Sequence, residues 1–343
     1  MHSDTFNPDA PGVNNGNFFG LPFTAEESKV VLMGIPWDVT TSYRCGTSEG
    51  PEAILNASLQ VDLYDADFGN IWEKGIATAG INKSLKKKSK SLRETSMRVI
   101  RLLESGTDMD DPKLFPFVKE VNAASNALNE WVYSACWNLI QEKKIPGLIG
   151  GEHSIPYGCL KALCEFHDQF GILQIDAHAD LRHAYEGFEF SHASIMYNAM
   201  NLKAVTSIVQ VGIRDFCETE KKLACENSFI HWFESSRIFS EMYLGKTWDK
   251  ICDEIVSCLP DKVYVSFDID GLDLSFCPGT GTPVPGGLDF NQVSYLLKKL
   301  SQQKKTIIGF DLCEVAPGPI PDIDAITGAR ILYKLCGLAI NSK

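Results

Sequence analysis

Three short segments of the 343-residue chain place acids and histidines at the spacing of metal ligands: Gly150–Ser154, Asp176–Asp180 and Ser266–Gly271. In the last two segments the ionisable side chains recur at every second residue, and residues two apart in an extended strand project from the same face. The segments carry these candidate ligands for hard cations: Glu152, His153, Asp176, His178, Asp180, Asp268 and Asp270. Gathered in one place, so many acids would repel one another unless cations lay between them.

A pair of divalent cations in such a cluster would support hydrolysis. The cations would neutralise the acids and lower the pKa of a water molecule held between them, so that it becomes hydroxide near neutral pH. The alternative is that these side chains are solvated acids in unrelated loops. Unrelated loops do not repeatedly place histidines beside acids, so the pattern indicates an enzyme.

Each segment directly follows a short apolar run. The runs are Ile145–Ile149, Phe170–Ile175 and Val263–Phe267. They lack alternation of polar and apolar residues, which is typical of strands that are buried on both faces of a parallel sheet. Sites in such sheets form beyond the carboxyl ends of the strands. The position of the acids therefore agrees with the chemistry that their side chains suggest.

The rest of the chain alternates predicted strands with predicted helices. Further strands are predicted at Val30–Gly34, Ser207–Ile213, Phe229–Phe233 and Thr306–Phe310, and helices at Lys86–Leu103, Val121–Gln141, Pro156–Phe166, Ile195–Met200, Trp248–Cys258, Asn291–Ser301 and Ala325–Gly337. The alternation predicts the α/β class, as a single three-layer α/β/α domain with a mostly parallel central sheet. Residues 1–28, rich in Asn, Gly, Pro and Ser, are expected to form a flexible arm, and residues 29–343 the catalytic domain.

Composition limits the class of protein. The chain is 44% hydrophobic and 22% charged, as is ordinary for a soluble globular protein, and it has no apolar run long enough to span a membrane. Its net charge of −12 argues against a nucleic-acid partner. The 11 cysteines are scattered without a C-x-x-C pair. Because the N-terminus also lacks the pattern of a secretory signal, a cytoplasmic protein with reduced thiols is expected.

The motifs, in their order and spacing, resemble those of the ureohydrolase family of arginases, agmatinases and their relatives. The resemblance covers roughly Val30 to the C-terminus. Besides the three acidic segments, it rests on Gly34–Asp38, Thr41–Arg44, Gly50-Pro51, Ser191–Ala193, Gly279–Pro283 and Asp311–Val315. It implies the arginase-like fold and hydrolysis of a guanidino C–N bond, which releases urea and an amine.

The resemblance also implies a site for two Mn(II) ions. The ligand positions are His153 and Asp180 for one ion, His178 and Asp270 for the other, and Asp176 and Asp268 as bridges between both. Ligation rich in oxygen, with one imidazole for each ion, suits the fairly hard Mn(II) better than copper or a thiolate-bound zinc.

Other motif positions imply roles in catalysis and in substrate binding. Asp180 would orient the attacking hydroxide as well as bind metal. His192 would carry a proton to the departing amine, since an imidazole titrates near neutral pH. Glu314 would pair with the substrate guanidinium and hold its carbon in place. The remaining candidates for substrate contact are Thr282, Arg182 and His183.

The motifs favour agmatine as the substrate, which would give putrescine. Tyr185–Met196 and Thr41–Arg44 resemble the corresponding segments of agmatinases. Cys217 stands where arginases have an aspartate that binds the α-amino group of arginine. Without polar groups for that end of the molecule, the site would not select arginine.

Alternatives to agmatine stay open. Val284 is arginase-like and Arg182 could meet a substrate carboxylate, so arginine is the second candidate, followed by guanidinobutyrate and formiminoglutamate. Formiminoglutamases usually lack the histidine found here as His192. Glu152 and Leu274 depart from the usual Asp and Pro of the family. A protein of a different class, a non-catalytic metal-binding relative, is disfavoured because an idle acidic cluster would only cost stability.

The resemblance finally implies an assembly, because members of the family commonly form trimers or hexamers. We therefore expect a homo-oligomer. Its other partner would be the small guanidino substrate, and neither a nucleic acid nor a membrane is expected.

Overall fold

The structure, a computed structural model, describes residues 6–318 and 323–342. At its centre lies an eight-stranded sheet, in the order β2-β1-β3-β8-β7-β4-β5-β6, with every neighbouring pair parallel. The strands are β1 (Val30–Ile35), β2 (Ile76–Ile81), β3 (Ile145–Gly150), β4 (Phe170–Ile175), β5 (Val205–Ile213), β6 (Ile230–Glu234), β7 (Lys262–Asp268) and β8 (Thr306–Cys313). The predicted parallel sheet is confirmed.

Helices cover both faces of the sheet. They are α1 (Gly50–Ser58), α2 (Lys83–Glu104), α3 (Phe115–Gln141), α4 (Tyr157–Phe166), α5 (Ile195–Ala199), α6 (Glu218–Glu226), α7 (Ser235–Tyr243), α8 (Trp248–Ser257), α9 (Phe290–Gln302) and α10 (Ile323–Asn341). Helices α1 and α7 to α10 share one apolar core with the sheet, and α2 to α6 share the other. This confirms the three-layer α/β/α architecture. In the described part of the chain, no helix combines the length and apolar character that a bilayer crossing requires.

The strands are buried because their sequences are apolar on both faces. Every residue of β1 and β4 is buried, as is all of β7 after its first residue. Such strands cannot present a polar side chain to solvent until they end. Polar residues are therefore placed directly after the strands, where the chain leaves the two apolar layers.

The register aligns the carboxyl ends of the four central strands β3, β8, β7 and β4. Ile149 pairs with Leu312, Leu312 with Phe267, and Phe267 with Ile175, which forms one row across the sheet. The segments that follow this row carry all the candidate metal ligands and Glu314. The sheet thereby brings side chains that lie far apart in the sequence together beyond the carboxyl ends of these four strands.

All the predicted strands and helices are found, but the structure adds elements that the sequence patterns did not predict. Edge strand β2 is short and partly exposed, and α1 begins with a Gly-Pro pair. Helices α6 and α7 were missed as well. Within residues 1–28, which were expected to form a flexible arm, Phe18, Phe19 and Leu21 are buried in the same core as Ile54. Residues 1–5 lie outside the described residues.

Gly151, which follows β3, is fixed by close backbone contact. A Cβ at this position would lie 1.8 Å from the carbonyl oxygen of Trp37. We therefore expect Gly151→Ala to lower the free energy of unfolding by about 1–3 kcal/mol, the usual cost of overpacking. Urea unfolding will measure it. Gly328→Ala, whose new Cβ meets only side-chain carbons at 3.2 Å, is the control. Equal stability of the two variants would contradict the expectation.

Candidate active site

Three carboxylates converge on one imidazole nitrogen beyond the aligned carboxyl ends of the central strands. Nδ1 of His153 lies 3.0 Å from Asp176 Oδ2, 3.1 Å from Asp180 Oδ2 and 3.4 Å from Asp268 Oδ2. All four side chains are buried. A single imidazole N–H cannot satisfy three carboxylate oxygens, so the group has more acceptors than donors.

A second group lies beside the first and shares Asp176 with it. Nδ1 of His178 lies 3.2 Å from Asp270 Oδ2 and 3.5 Å from Asp176 Oδ1. Asp176 thus directs one carboxylate oxygen toward each histidine, which is the arrangement expected of a residue that bridges two ions. The structure brings the six predicted metal ligands together in these two adjoining groups.

The predicted alternation along extended strands is not what brings the acids together. Strand β4 ends at Ile175, so Asp176–Asp180 form a loop, and β7 is followed by a 3-10 turn at Ile269–Gly271. Asp180 has a φ of 54°, in the left-handed region that residues other than glycine seldom adopt. Backbone strain of this kind concentrates at functional sites. The loop conformation therefore directs Asp180 toward His153.

Burial and mutual repulsion perturb these groups. Burial, reinforced by the charge of Asp176, raises the pKa of Asp180 to about 7. The pKa of Asp268 is also raised well above its usual range by burial and by neighbouring carboxylates. Burial opposes the charged form of His153 and His178, but the surrounding acids outweigh it and raise the pKa of both histidines. The two histidines and the acids Asp180 and Asp268 therefore tend to hold protons, which reduce the repulsion among the carboxylates.

Two observations fit a pair of divalent cations. Carboxylate oxygens converge on His153 Nδ1 without enough donors, as described above. In addition, Oδ2 of Asp270 is buried and has no hydrogen-bond partner among the described residues, although Nδ1 of His178 lies 3.2 Å away. Buried polar atoms are normally paired, so an orphaned carboxylate oxygen suggests an absent partner. Oxygen ligands with one imidazole in each group suit hard cations.

Nε2 of His153, on the side of the ring away from the three acids, also has polar neighbours. Its Nε2 lies 2.8 Å from Ser266 Oγ and 3.6 Å from the buried Asp311. These neighbours fix the orientation of the ring and leave Nδ1 to face the acids. Neighbours of this kind commonly orient histidines that bind metals.

A cleft of about 290 Å³ lies against this cluster. Its lining residues are Ser42, Tyr43, His178, Asp180, Arg182, Tyr185, His192, Ala193, Asp215, Glu220, Thr282, Pro283 and Val284. The predicted proton carrier His192 and the predicted substrate contact Thr282 thus share one space with two of the predicted metal ligands.

Among the described residues, the hydrogen-bond partners of the His192 ring are hydroxyl groups. Its Nδ1 lies 3.3 Å from Ser191 Oγ and 3.4 Å from Thr40 Oγ1, and its Nε2 lies 3.5 Å from Ser42 Oγ. Burial lowers the pKa of His192 to about 3, and nearby positive charges act in the same direction. His192 is therefore a neutral imidazole near neutral pH and a weaker base than the free imidazole on which the sequence prediction rests.

Glu314 lies at the end of β8, in contact with the first group. Its Oε1 accepts the backbone N–H of His153 at 2.8 Å, and its own φ of 62° is again left-handed. Burial and the charge of Glu152 raise the pKa of Glu314 well above its usual range. A Cβ on Gly281 would come within 3.1 Å of Oε2, so the glycine leaves room for this carboxylate. A cationic group would stabilise its charged form.

Two predicted substrate contacts are placed differently from expectation. Arg182 lines the cleft, but its Nε lies 3.5 Å from Glu220 Oε2 and its guanidinium stacks over Tyr185 at 4.7 Å. His183 is exposed, packs edge-on against Tyr197, and is not among the cleft residues. Arg182 is thus already paired, and His183 does not face the space where a substrate would bind.

The cleft also contains acids that the motifs did not predict. Asp215 lies just beyond β5, and Glu220 lies on α6 with its carboxylate accepting the N–H groups of Leu181 (3.0 Å) and Cys217 (2.9 Å). The rule that polar residues follow apolar strands could have identified Asp215. Glu220 gave no such signal, because its approach depends on how α6 packs.

Comparison with known families bears directly on this site. The Arginase family matches residues 28–337, which is nearly the whole chain. The chain belongs to the arginase family.

Relatives of this arginase-family chain match it over almost its full length. The N(1)-aminopropylagmatine ureohydrolase of Synechocystis is 31% identical over 91% of this chain and 89% of the relative. The agmatinase of Pyrococcus horikoshii is 30% identical over 92% and 93%. The crystal structure of the agmatine ureohydrolase of Thermoplasma volcanium has a TM-score of 0.73 at 25% identity and covers 96% of both chains.

The metal-free form of this arginase-family chain should lose stability as the pH rises. The raised pKa values of Asp180 (about 7) and of His153 mean that the folded cluster holds protons that the unfolded chain releases. The stability that these protons confer is present at low pH and is lost as the pH rises through the raised values. After chelator treatment, the melting temperature should therefore be lower at about pH 8 than at about pH 6.

Differential scanning fluorimetry with and without Mn²⁺ checks this expectation. Added Mn²⁺ should raise the melting temperature more at the higher pH, since fewer protons then compete for the ligands. A metal-free melting temperature that is constant or increases between the two pH values would contradict it.

Proposed function

We propose that the chain is a dimanganese ureohydrolase that hydrolyses a guanidino compound with a cationic tail, and that agmatine is its substrate, giving urea and putrescine. The observation that carries this proposal is the composition of one cleft. Two of the proposed ligands, His178 and Asp180, line it together with His192 and the acids Asp215 and Glu220. That the chain is an arginase-family hydrolase follows from the match over residues 28–337.

We assign the metal ligands as the resemblance implies; the two histidine-centred groups support every position except the bridging role of Asp268, which, of the two histidines, approaches His153 alone. The proposed ligands are His153 and Asp180 for one ion, His178 and Asp270 for the other, and Asp176 and Asp268 between both. When bound, the two ions supply the Lewis acidity that makes a water molecule a nucleophile near neutral pH.

The protein groups around the cluster would position and protonate the substrate. Asp180 faces the cleft and can accept a hydrogen bond from the nucleophilic water. Glu314 is buried and is not among the residues that line the cleft, so its predicted role, accepting N–H groups of the guanidinium in a charge-assisted contact, requires the guanidinium to enter beyond those residues. His192 is neutral and can take up a proton and give it to the departing amine.

Charge in the cleft favours a cationic tail over a carboxylate. Nε of Arg182 lies 3.5 Å from Glu220 Oε2, so this carboxylate offsets part of the positive charge that Arg182 brings to the cleft. Asp215 is 68% exposed and can attract a substrate amine. Two relatives are named for agmatine or for its N(1)-aminopropyl derivative, and both compounds carry such amines. Arginine, guanidinobutyrate and formiminoglutamate each carry a carboxylate and rank lower.

N(1)-aminopropylagmatine is the second candidate substrate. Its longer tail carries an additional amine, and Asp215 and the exposed ring of Tyr43 both line the cleft. An aromatic face and a carboxylate are both good partners for a substituted ammonium group.

Urea release by the Mn²⁺-loaded protein tests the proposal. The substrates compared should be agmatine, N(1)-aminopropylagmatine, arginine and guanidinobutyrate, with formiminoglutamate followed by formamide release. We expect kcat/KM to be highest for agmatine, or for its aminopropyl derivative if the second candidate is correct. Preference for a substrate with a carboxylate would overturn the assignment of the tail. Absence of hydrolysis with all five would overturn the proposed function.

Removal of the charge of Asp215 should weaken binding of the tail. An exposed ion pair contributes up to about 1 kcal/mol, so Asp215→Asn should raise KM for agmatine about two- to fivefold with little change in kcat. Steady-state urea assays measure this. Asp261→Asn makes the same substitution directly before the amino end of β7, on the side of the sheet away from the cleft, and should leave KM unchanged. Equal KM values for the two variants would argue against a role of Asp215.

Loss of the imidazole of His192 should impair proton transfer without loss of metal. We expect His192→Asn to lower kcat by about 10²–10⁴-fold, the range for general acid–base groups. Metal content by mass spectrometry should match that of the wild type. Wild-type turnover in this variant would remove His192 from the proposed chemistry.

The homo-oligomer stays a prediction from the resemblance, and the cytoplasmic location stays a prediction from the cysteine pattern and the N-terminal sequence. Gel filtration with light scattering would measure the assembly. Nothing in the proposed chemistry depends on its size.

A further inference from the structure

Thr40, in the loop that follows β1, contacts both the backbone and the ring of His192. Its Oγ1 accepts the backbone N–H of His192 at 3.1 Å and lies 3.4 Å from Nδ1 of the ring. Thr40 is fully buried and is not among the residues that line the cleft. It therefore contacts His192 on the side away from the cleft and is not placed to touch a substrate.

Glu152 fixes the position of Thr40. The backbone N–H of Thr40 donates to Glu152 Oε2 at 2.6 Å, and Ser154 Oγ donates to the other carboxylate oxygen at 2.7 Å. Glu152 is itself held by its N–H, which donates to the carbonyl of Trp37 at 2.7 Å. The sequence suggested Glu152 as a candidate ligand for a cation. In the structure its carboxylate instead anchors the loop that carries Thr40.

The two ring nitrogens of His192 face different surroundings. Nε2 is nearest to Ser42, which lines the cleft, whereas Nδ1 is nearest to Thr40 and Ser191, which do not. Proton exchange with a substrate must therefore occur at Nε2. Nδ1 must keep its proton throughout, because an imidazole that exchanges protons at one nitrogen carries hydrogen on the other.

A buried N–H at Nδ1 requires an acceptor, and the neighbouring hydroxyls can supply one. The oxygen of Thr40 has two lone pairs, so it can accept the ring N–H as well as the backbone N–H of His192. Ser191 Oγ, which accepts the N–H of Ala193 at 3.2 Å, can act in the same way. Hydroxyl partners are uncharged. They orient the ring without favouring the imidazolium ion as a carboxylate would.

We propose that Thr40, anchored by Glu152, is a positioning residue whose hydroxyl accepts the Nδ1–H of His192 and directs the lone pair of Nε2 into the cleft. The inference rests on the proposed function of the site. In the reaction, the oxygen of the nucleophilic water forms a C–O bond to the guanidino carbon, and one O–H bond of this water breaks as an N–H bond forms at Nε2. That N–H bond then breaks as the proton passes to the departing nitrogen and the guanidino C–N bond is cleaved. Nδ1 keeps its proton in both steps.

Two variants of Thr40 separate its hydroxyl from its volume. Thr40→Val keeps the shape and removes the hydroxyl, so kcat should fall about 10- to 100-fold through misorientation of the ring. KM should stay within about twofold and both metal ions should remain bound, since neither depends on this contact. Thr40→Ser restores the hydroxyl and should recover most of the lost kcat. Wild-type kcat in Thr40→Val would overturn the proposal.

The matched control is Thr47→Val. Thr47 is also fully buried, but its hydroxyl has no hydrogen-bond partner among the described residues, so the same substitution removes no contact. It should leave kcat unchanged. In the His192→Asn background, Thr40→Val should cause little further loss, because two residues that act as a unit are not additive. An equal loss in both backgrounds would show that Thr40 acts independently of His192 and would overturn the proposal.

A measurement without turnover separates this proposal from the proposed function. Nitrogen-15 NMR of the imidazole signals, with His192 assigned by its absence in His192→Asn, reports which nitrogen carries the proton. We expect a protonated Nδ1 in the wild type and in Thr40→Ser, and a mixture of tautomers in Thr40→Val. A wild-type ring that is protonated only at Nε2 would overturn the positioning role even if urea is released. Failure to hydrolyse any guanidino compound, with Nδ1 protonated, would overturn only the reaction.

Discussion

Repulsion among buried carboxylates is the constraint on which the rest of the site depends. Asp176, Asp180, Asp268 and Asp270 are almost completely removed from water, and two histidines are the only groups in the two ligand clusters that can bear positive charge. Burying unpaired charge is costly, so the arrangement is stable only with protons or cations among the acids. Burial, to which repulsion by Asp176 adds, raises the pKa of Asp180 to about 7. The repulsion among these buried carboxylates is also the reason why the cluster should bind divalent cations strongly near neutral pH.

The parallel sheet provides the geometry that the cluster requires. A row of paired residues from Ile149 to Ile175 aligns the carboxyl ends of four strands. Each segment that follows a strand therefore needs only a few residues to reach the same point. The cost is local: Asp180 and Glu314 both adopt left-handed backbone conformations. The rigid apolar layers on both sides hold these conformations in place, as is usual for strain at functional sites.

Much of this could be predicted from the sequence, because unbroken apolar runs identify buried parallel strands and their ends locate the acids. The motifs predicted six ligand positions whose side chains lie together in the structure, although alternation in an extended strand is not what gathers them, because Asp176–Asp180 form a loop. Contacts that depend on packing between distant segments were missed. Arg182 is paired because α6 brings Glu220 to it, and Thr40 meets His192 across 152 positions of the chain. A reading of local spacing has no access to such contacts.

The role of cations in the cluster is tested most directly by measuring metal content and urea release on the same samples during stepwise removal of Mn²⁺ by a chelator. We expect two ions per chain in the loaded protein, hydrolysis that declines as they are withdrawn, and recovery when Mn²⁺ is returned. Undiminished hydrolysis by protein that holds no metal would contradict the account.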